Sequence, residues 1–420
     1  MAAIACSATS VARTAAQAQA RRHRVAAAQQ MSCPARFTRP QTLTSPQISR
    51  SSAIISRTST PLIRDHRVRS SRTGSRALTV CKLKGTVVIT GASSGLGRAA
   101  TIELANRGYY VVMACRDVAK GERVAQEAGL PKDSYRVEEC NLADLSSVKA
   151  FAETMAKEGL DVLVCNGAVY FPQATEPTFT KDGFEESVGV NHIAHFYLVE
   201  KLLGTLQKSD VGRCVIVGSV TGNTNTVAGQ VPPIADLGNL DGLKAGFQGV
   251  DNCMIDGKEF IGAKAYKDSK VCNMLSVFEF DKRYHESTGV NFVSLYPGCI
   301  ADTPLFRNHN VFFRVAFPWL MKNVTKGYVS EGEAGWRLAE ICTNPDYDKS
   351  GVYWSWKQGG DNYYENYNAP PEDRLKAFEN EPSEEVRDAN KGKMLASLTQ
   401  ELIKTATGET VGTQVAASSA

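Results

Sequence analysis

Apolar and polar positions divide the chain into alternating segments from residue 85 to about residue 345. Most of the short runs rich in β-branched residues are almost continuously apolar, which indicates strands buried on both faces. Amphipathic or charged segments between these runs indicate helices. The alternation therefore predicts an α/β fold, with one parallel sheet covered by helices in a single domain. Strands are expected at Thr86–Thr90, Tyr109–Cys115, Tyr135–Glu139, Val162–Asn166, Cys214–Gly218 and Asn291–Tyr296, with helices at about 96–107 and 117–128.

The two ends of the chain differ from this middle part. Residues 1–80 contain 13 Arg, no Lys and one acidic residue, so they carry a formal charge of +12 while residues 81–420 carry −8. An Arg-rich, Ser-rich and acid-poor N-terminus is typical of an organelle transit peptide, although a disordered basic arm is the alternative. Composition does not separate chloroplast from mitochondrion. Residues 370–405 are expected to form a charged helical extension, and residues 406–420 a flexible tail.

Composition also argues against several functional classes. The acidic character of residues 81–420 argues against nucleic-acid binding. No apolar run approaches the roughly 18 residues that a membrane-spanning helix requires. Nine of the 11 cysteines lie from Cys81 onward, and none forms a CxxC pair. We therefore expect reduced thiols rather than a disulfide framework, and no protein-bound metal.

The first predicted strand runs directly into a glycine-rich turn that opens a helix. Glycines let the backbone bend sharply and approach a pyrophosphate, which the helix N-terminus stabilises. A tight structural turn is the alternative, but the position between strand and helix favours a dinucleotide site in a Rossmann-type doubly wound parallel sheet. The residues expected to bind the cofactor here are Gly91, Ser93, Ser94, Gly95, Leu96 and Gly97.

The end of the second predicted strand indicates which dinucleotide is bound. A site for NAD usually has an acidic residue there, to hold the ribose 2′-hydroxyl. This chain has Arg116, and Lys120 follows one helical turn later. Two cations suit the 2′-phosphate of NADPH, whereas a solvated arginine is the alternative. Asp117 is expected to cap the next helix.

A tyrosine and a lysine lie four positions apart in the segment Tyr266-Lys-Asp-Ser-Lys270, which places them on one helix face. A neighbouring ammonium stabilises a phenolate, so such a pair can transfer a proton near neutral pH. The spacing alone is not specific, because Tyr353 and Lys357 repeat it within an aromatic run.

Further residues supply the context that the spacing lacks. Asn191 and Ser219 precede the pair, and a Pro297-Gly298 turn follows it. Glycine turn, Asn, Ser, Tyr with Lys, and Pro-Gly, in this order, resemble the short-chain dehydrogenase/reductase family over about residues 85–345. The resemblance implies an NADP-binding domain over residues 81–405. It adds cofactor contacts at Asn141, Leu142, Asn166, Gly167, Tyr266, Lys270, Pro297 and Gly298.

Three details refine this resemblance. Ser219 and Tyr266 lie 47 positions apart, an unusual separation for the family, so residues 223–260 form an insertion that is expected to overhang the site. The family's Asn-Asn-Ala-Gly motif is only partly kept, as Cys165-Asn-Gly-Ala168. The segments around Tyr266 and Cys299 are very similar to the branch of the family that reduces protochlorophyllide in light.

This closer resemblance implies reduction of the C17–C18 double bond of protochlorophyllide to chlorophyllide, with NADPH as hydride donor and the pigment itself absorbing the light. It implies a plastid protein on the stromal side, peripherally attached to membrane and able to form a homo-oligomer. The apolar segment 312–321 is expected to cover the substrate or lie on a membrane surface, with an ordinary core helix as the alternative. Two other functions stay open: a dark carbonyl or retinoid-type reductase, and a non-catalytic NADPH-binding scaffold of plastid membranes.

The resemblance also implies a role for each catalytic residue. Tyr266 would donate the proton to C18, and Lys270 would bridge the nicotinamide ribose and lower the pKa of the tyrosine. Asn191 would hold a water that links Lys270 to solvent. Ser219 is expected to position the substrate, because the reduced bond has no carbonyl oxygen. Cys299 is either a second proton donor or an inert thiol that packs against the pigment.

Overall fold

The computed structural model describes residues 84–301, 303–309, 311–323, 327–356 and 376–412, and the predicted transit peptide lies outside these ranges. Within them, one eight-stranded sheet has the order β3-β2-β1-β4-β5-β6-β7-β8. Neighbouring strands are parallel except for β8, which runs antiparallel to β7. The strands are Thr86–Thr90 (β1), Tyr110–Cys115 (β2), Tyr135–Glu139 (β3), Val162–Cys165 (β4), Arg213–Val217 (β5), Asn291–Leu295 (β6), Val352–Trp356 (β7) and Ala377–Glu379 (β8). The predicted Rossmann-type doubly wound sheet is confirmed.

Helices cover both faces of this sheet. The longer helices are Gly95–Asn106 (α1), Val118–Glu127 (α2), Leu145–Glu158 (α3), Ala194–Leu206 (α4), Gly262–Phe280 (α5), Val311–Asn323 (α6), Glu331–Thr343 (α7) and Ala389–Thr407 (α8). Shorter helical segments are Glu186–Val188, Gly189–Ile193, Val220–Gly222, Asp241–Lys244, Val250–Asn252, Asp281–His285, Glu286–Thr288, Pro304–Asn308, Pro345–Tyr347 and Glu384–Arg387. In the described part of the chain, no helix combines the length and the apolar character needed to cross a membrane.

Two hydrophobic cores lie on opposite faces of the sheet. Side chains alternate across a strand, so Val87 and Ile89 of β1 join the core beneath α1, α2 and α7, while Val88 joins the core beneath α3, α4, α5 and α8. Both faces of the central strands are therefore buried, which explains why these strands are almost continuously apolar, whereas the edge strand β3 carries Arg136, Glu138 and Glu139.

The C-terminal part of the chain differs from the sequence-based expectation. Tyr353 lies on strand β7 and not on a helix, and Lys357, its partner in the repeated spacing, lies outside the described residues. The expected helical extension over residues 370–405 begins, within the described residues, with strand β8. The predicted boundary at residue 405 falls inside α8, and Glu409 accepts hydrogen bonds from Tyr197 (2.5 Å) and Lys201 (3.2 Å). These contacts join distant parts of the chain, so local pattern alone did not indicate them.

The insertion at residues 223–260 is tied to helix α5 by buried polar contacts. Lys264 Nζ donates to the carbonyl of Asp236 (2.6 Å), and the backbone N–H of Asp236 donates to the carboxylate of Asp268 (3.1 Å). Lys267 Nζ donates to the carbonyl of Val231 (2.5 Å). The helix that carries Tyr266 therefore also holds the insertion in place.

Candidate active site

A cavity of about 730 Å³ lies at the carboxyl ends of the parallel strands. Its wall combines the segments that follow β1, β4, β5 and β6 with one side of α5. The strand order reverses between β1 and β4, and ligands of doubly wound sheets bind at such a point. The predicted residues that line the cavity are Gly91, Ser93, Ser94, Gly95, Leu96, Asn166, Gly167, Ser219, Tyr266, Lys270, Pro297, Gly298 and Cys299. Those that do not line it are Gly97, Arg116, Lys120, Asn141, Leu142 and Asn191.

The glycine turn has a shape that only glycine supports. Gly91 and Gly95 adopt φ values of +65° and +52°. A Cβ on Gly97 would lie 2.5 Å from the carbonyl oxygen of Gly91, so Gly97 lets α1 pack against the turn. Ser94 is the N-cap of α1, but its side chain makes no capping hydrogen bond. The backbone N–H groups at this helix end are therefore available to an anion such as a pyrophosphate.

Thr90, at the end of β1, joins the glycine turn to the loop after β4. Its hydroxyl oxygen accepts hydrogen bonds from the backbone N–H groups of Asn166 and Gly167, both at 2.9 Å. The side-chain amide of Asn166 donates to the carbonyl of Thr90 (2.8 Å). Asn166 thus holds this loop although the family motif around it is only partly kept.

His195 extends the same network to Asn191. Its Nδ1 lies 3.0 Å from the carbonyl of Asn191, and its Nε2 lies 2.9 Å from the hydroxyl of Thr90. A carbonyl can only accept, so Nδ1 carries the hydrogen and Nε2 accepts from Thr90. Burial lowers the pKa of His195 to about 4, which keeps the ring neutral. Sequence reasoning missed both Thr90 and His195, since their partners are distant in the chain.

Tyr266 and Lys270 lie side by side on α5, as predicted. Lys270 Nζ lies 5.8 Å from the centre of the Tyr266 ring and donates to the carbonyl of Val217 (3.0 Å). Burial raises the pKa of Tyr266, and a hydrogen bond with Ser219 opposes that shift. Burial lowers the pKa of Lys270 to about 8. Burial thus raises the pKa of Tyr266 and keeps the phenol protonated, and the expected lowering of this pKa by Lys270 stays a prediction.

Ser219 and Tyr170 flank the phenol. The Ser219 hydroxyl lies at the end of β5, 2.8 Å from the hydroxyl of Thr221, and accepts from the backbone N–H of Thr221 (3.2 Å). The Tyr170 ring lies 4.3 Å from the Tyr266 ring, centre to centre. Tyr170, which the sequence analysis did not single out, therefore forms part of the cavity wall beside the phenol of Tyr266.

Asn191 lies behind the cavity, in the π-helical turn Gly189–Ile193. Its side-chain oxygen accepts from the N–H of Val169 (2.8 Å), and its amide donates to the carbonyl of Val169 (3.1 Å) and to Ser269 (3.0 Å). Both amide hydrogens are therefore used within the protein. Asn191 positions the loop before Tyr170, and its role in holding a water stays a prediction.

The Pro297-Gly298 turn brings Cys299 to the cavity. Gly298 has φ +109°, and a Cβ there would lie 2.4 Å from Cγ2 of Val329, so a larger residue would not fit. The fully buried Arg337 donates to the carbonyl of Pro297 (2.9 Å). Arg337 is a further residue that sequence reasoning missed, because it lies 40 positions further along the chain than Pro297.

The predicted contacts to the adenosine end of a cofactor lie outside the cavity. Arg116 is exposed at the end of β2, and Asp117 caps α2 by accepting from the N–H of Lys120 (2.9 Å), as predicted. The side-chain oxygen of Asn141 accepts from the N–H of Ala143 (3.2 Å) and shapes the turn after β3. Leu142 packs so closely on Gly167 that a Cβ on the glycine would lie 2.6 Å from Leu142 Cδ1.

Helix α6 closes one side of the cavity with aromatic rings. The ring of His309 stacks on Phe313 with 4.0 Å between their centres, and Phe313 stacks on Phe317 at 4.7 Å. Phe313, Phe317 and Met321 line the cavity, whereas Val315 and Trp319 of the same helix are exposed. Part of the predicted apolar segment therefore lines the cavity, other apolar side chains of the same helix are exposed, and its role as a cover for the substrate stays a prediction.

Comparison with known proteins supports the resemblance inferred from the motifs. A sequence profile described as short chain dehydrogenase matches residues 85–231. Protochlorophyllide reductase of Daucus carota is 54% identical over 326 residues, covering 76% of this chain and 78% of the relative. Protochlorophyllide reductase A of Arabidopsis thaliana is 53% identical, covering 76% and 77%. Both relatives are described as chloroplastic.

The fold comparison agrees. A solved structure of an uncharacterized protein from Mycobacterium Paratuberculosis matches with a TM-score of 0.54 and 23% identity, covering 77% of this chain and 94% of that one. This match shows the fold alone. The identity and coverage of the sequence relatives show the family: the chain belongs to the protochlorophyllide reductases, a branch of the short-chain dehydrogenases/reductases.

Proposed function

We propose that this protein reduces the C17–C18 double bond of protochlorophyllide to give chlorophyllide, using NADPH and light absorbed by the pigment. The proposal rests on one observation: the glycine turn, Tyr266 and the aromatic side chains of α6 all line the same cavity. A flat tetrapyrrole requires such an apolar wall. Similarity to protochlorophyllide reductases, at 54% identity, supports this substrate over others of the family.

The residues present fit a nicotinamide dinucleotide with a 2′-phosphate. The glycine turn leaves no room for a Cβ on Gly97, and the N-terminus of α1 offers uncapped N–H groups to a pyrophosphate. Arg116, which precedes the N-cap residue of α2, and Lys120, in the first turn of that helix, are suitable cations for a 2′-phosphate. When bound, NADPH supplies the hydride for C17.

The protein's own part in the reaction is to hold and deliver a proton. Tyr266 keeps its proton because burial raises its pKa, so it can donate that proton to C18 in a dark step that follows hydride transfer to C17. Lys270 stabilises the phenolate that results. The phenolate of Tyr266 is then protonated again from solvent. Cys299 lines the same cavity and is the second candidate donor.

The need for light follows from the bond that is reduced. A C=C bond within a conjugated macrocycle is a poor hydride acceptor in its ground state. Tyr266 can protonate it but cannot polarise it, because the bond has no carbonyl oxygen to which the phenol could donate. Excitation of the bound pigment supplies that polarisation.

We further propose that the protein works in the chloroplast, on the stromal side of a membrane surface. The chloroplastic relatives and the Arg-rich first 80 residues support the compartment. The outer face of α6 supports the attachment: Val315 is 71% exposed and Trp319 61% exposed, on a helix of 13 residues that lies beside the cavity.

Illumination of the purified protein with NADPH and protochlorophyllide tests the proposed function. We expect chlorophyllide in light and none in darkness. A dark reductase would form chlorophyllide, or oxidise NADPH with a carbonyl substrate, without illumination. A non-catalytic scaffold would bind NADPH and form no product under either condition.

A further inference from the structure

Helix α5 carries three buried lysines, and they differ in the groups that neutralise their charges. Lys264 forms ion pairs with Asp256 (3.0 Å) and Asp268 (2.5 Å). Lys270 belongs to the proton-transfer pair. Lys267 is only 5% exposed, and its Nζ donates to the backbone carbonyl of Val231 (2.5 Å). In the ranges that the structure describes, no carboxylate lies within ion-pair distance of Lys267.

This arrangement leaves a positive charge at the edge of an apolar space. Lys267 lines the cavity together with Val231 of the insertion. Its nearest acidic neighbour in sequence, Asp268, is already engaged by Lys264 and by the N–H of Asp236. A buried ammonium held by one neutral carbonyl is poorly compensated, and burial accordingly lowers the pKa of Lys267. An anionic group inside the cavity would supply the missing partner.

The position of Lys267 indicates which anion this is. The pyrophosphate of a dinucleotide has its own donors at the glycine turn and the start of α1. Lys267 lies instead on α5 next to Tyr266, against the insertion, so the anion belongs to the substrate. Protochlorophyllide carries a propionate side chain on C17, one of the two carbons that are reduced.

We propose that Lys267 binds the C17 propionate carboxylate of protochlorophyllide, an inference that rests on the proposed function. The carboxylate completes the ion pair that the protein itself lacks. Because the propionate is attached to C17 and Lys267 adjoins Tyr266, this contact fixes the reduced double bond beside the proton donor. Lys267 is thus a positioning and specificity residue, and it distinguishes the free acid from an esterified pigment.

A binding cycle that changes the protein and the pigment separately tests this contact. Protochlorophyllide and its methyl ester are titrated in darkness, with NADPH present, into the wild type, Lys267→Gln and Arg307→Gln. Glutamine keeps a hydrogen-bond donor toward Val231 but removes the charge. Arg307 is a matched control, since it also lines the cavity but is exposed. Pigment absorbance and fluorescence report the affinity.

We expect the wild type to bind the acid about tenfold or more tightly than the ester. Lys267→Gln should bind both at about the ester's affinity, Lys267→Arg should restore part of the preference, and Arg307→Gln should keep it. The proposal is wrong if Lys267→Gln still prefers the acid. It is also wrong if the variant loses affinity for acid and ester by the same factor, since Lys267 would then only tie α5 to the insertion.

A separate readout distinguishes this failure from failure of the proposed function. Illumination of the wild-type complex with the free acid reports chlorophyllide formation. Product formation without an acid preference would overturn the role of Lys267 alone. Absence of both pigment binding and product would overturn both proposals.

Discussion

Burial shifts the pKa values of Tyr266 and Lys270 in opposite directions. It raises the pKa of the phenol and lowers that of the ammonium to about 8, so each residue is shifted toward its neutral form. The tyrosine is therefore a stable proton donor, and the lysine loses its charge within an accessible pH range. Proton transfer should depend on both effects.

Replacement of the phenol tests the identity of the donor. Tyr266→Phe should still bind NADPH and pigment in darkness, but chlorophyllide formation after a flash should slow by about 10²-fold or more, as for loss of a general acid. The measurement is time-resolved absorbance of the product. Cys299→Ser is the control and should slow this step far less. Wild-type kinetics in Tyr266→Phe, with slow kinetics in Cys299→Ser, would move the role to the thiol.

The charge of Lys270 predicts a pH dependence. The ammonium is present below its pKa of about 8 and is lost as the pH rises through that value, so the dark proton-transfer rate should fall above about pH 8. Arginine stays charged throughout this range. In Lys270→Arg the alkaline fall should disappear, even if the absolute rate is lower. A fall at the same pH in both proteins would assign it to another group.

The cofactor preference depends on Arg116. Loss of a charged contact to the 2′-phosphate in Arg116→Ala should weaken NADPH binding about tenfold or more, and leave NADH binding unchanged. Arg123→Ala, which removes an exposed arginine from α2 itself, is the matched control. Fluorescence titration with NADPH and with NADH measures the ratio of the two affinities in each variant. Equal losses for NADPH and NADH would contradict the assignment.

At the scale of elements, α6 has two apolar faces with different surroundings. Phe313 and Phe317 line the cavity, and Val315 and Trp319 are exposed. Within the described residues, no other part of the protein covers the exposed side chains of Val315 and Trp319. A membrane surface would bury it without removing the helix from the cavity.

Vesicle binding tests this second face. The double variant Val315→Glu/Trp319→Glu should reduce binding to chloroplast-lipid vesicles by about tenfold or more, since each buried apolar side chain contributes about 1.5–3 kcal/mol. Flotation with vesicles measures the bound fraction. Val211→Glu changes another exposed valine outside α6 and should bind as the wild type does. Unchanged flotation of the double variant would contradict attachment through α6.

At the scale of the whole molecule, the elements that the sequence predicted are those with local signals. Strand β1, the glycine turn and the Tyr266–Lys270 pair each lie within a few consecutive residues, so pattern and spacing identify them. Strands β7 and β8 were missed because an aromatic run and a three-residue edge strand lack a clear period.

Long-range contacts explain what else was missed. Thr90 and His195 are 105 positions apart, and their hydrogen bond forms only once the fold brings the end of β1 against the start of helix α4. Lys267 looked like any lysine of the motif. Its lack of an acidic partner among the described residues becomes visible only in the assembled cavity. The proposal for Lys267 therefore depends on the structure and not on the sequence pattern.

A single flash on a complex prepared in darkness tests the central claim most directly. The protein is mixed with protochlorophyllide and NADPH that carries deuterium at its transferable C4 position, and product is extracted before and after one saturating flash. We expect no chlorophyllide before the flash, and afterwards at most one molecule per protein, with deuterium at C17 and a solvent-derived proton at C18. Chlorophyllide formed in darkness, or product without deuterium at C17, would contradict the light-driven reduction by NADPH proposed for this protein.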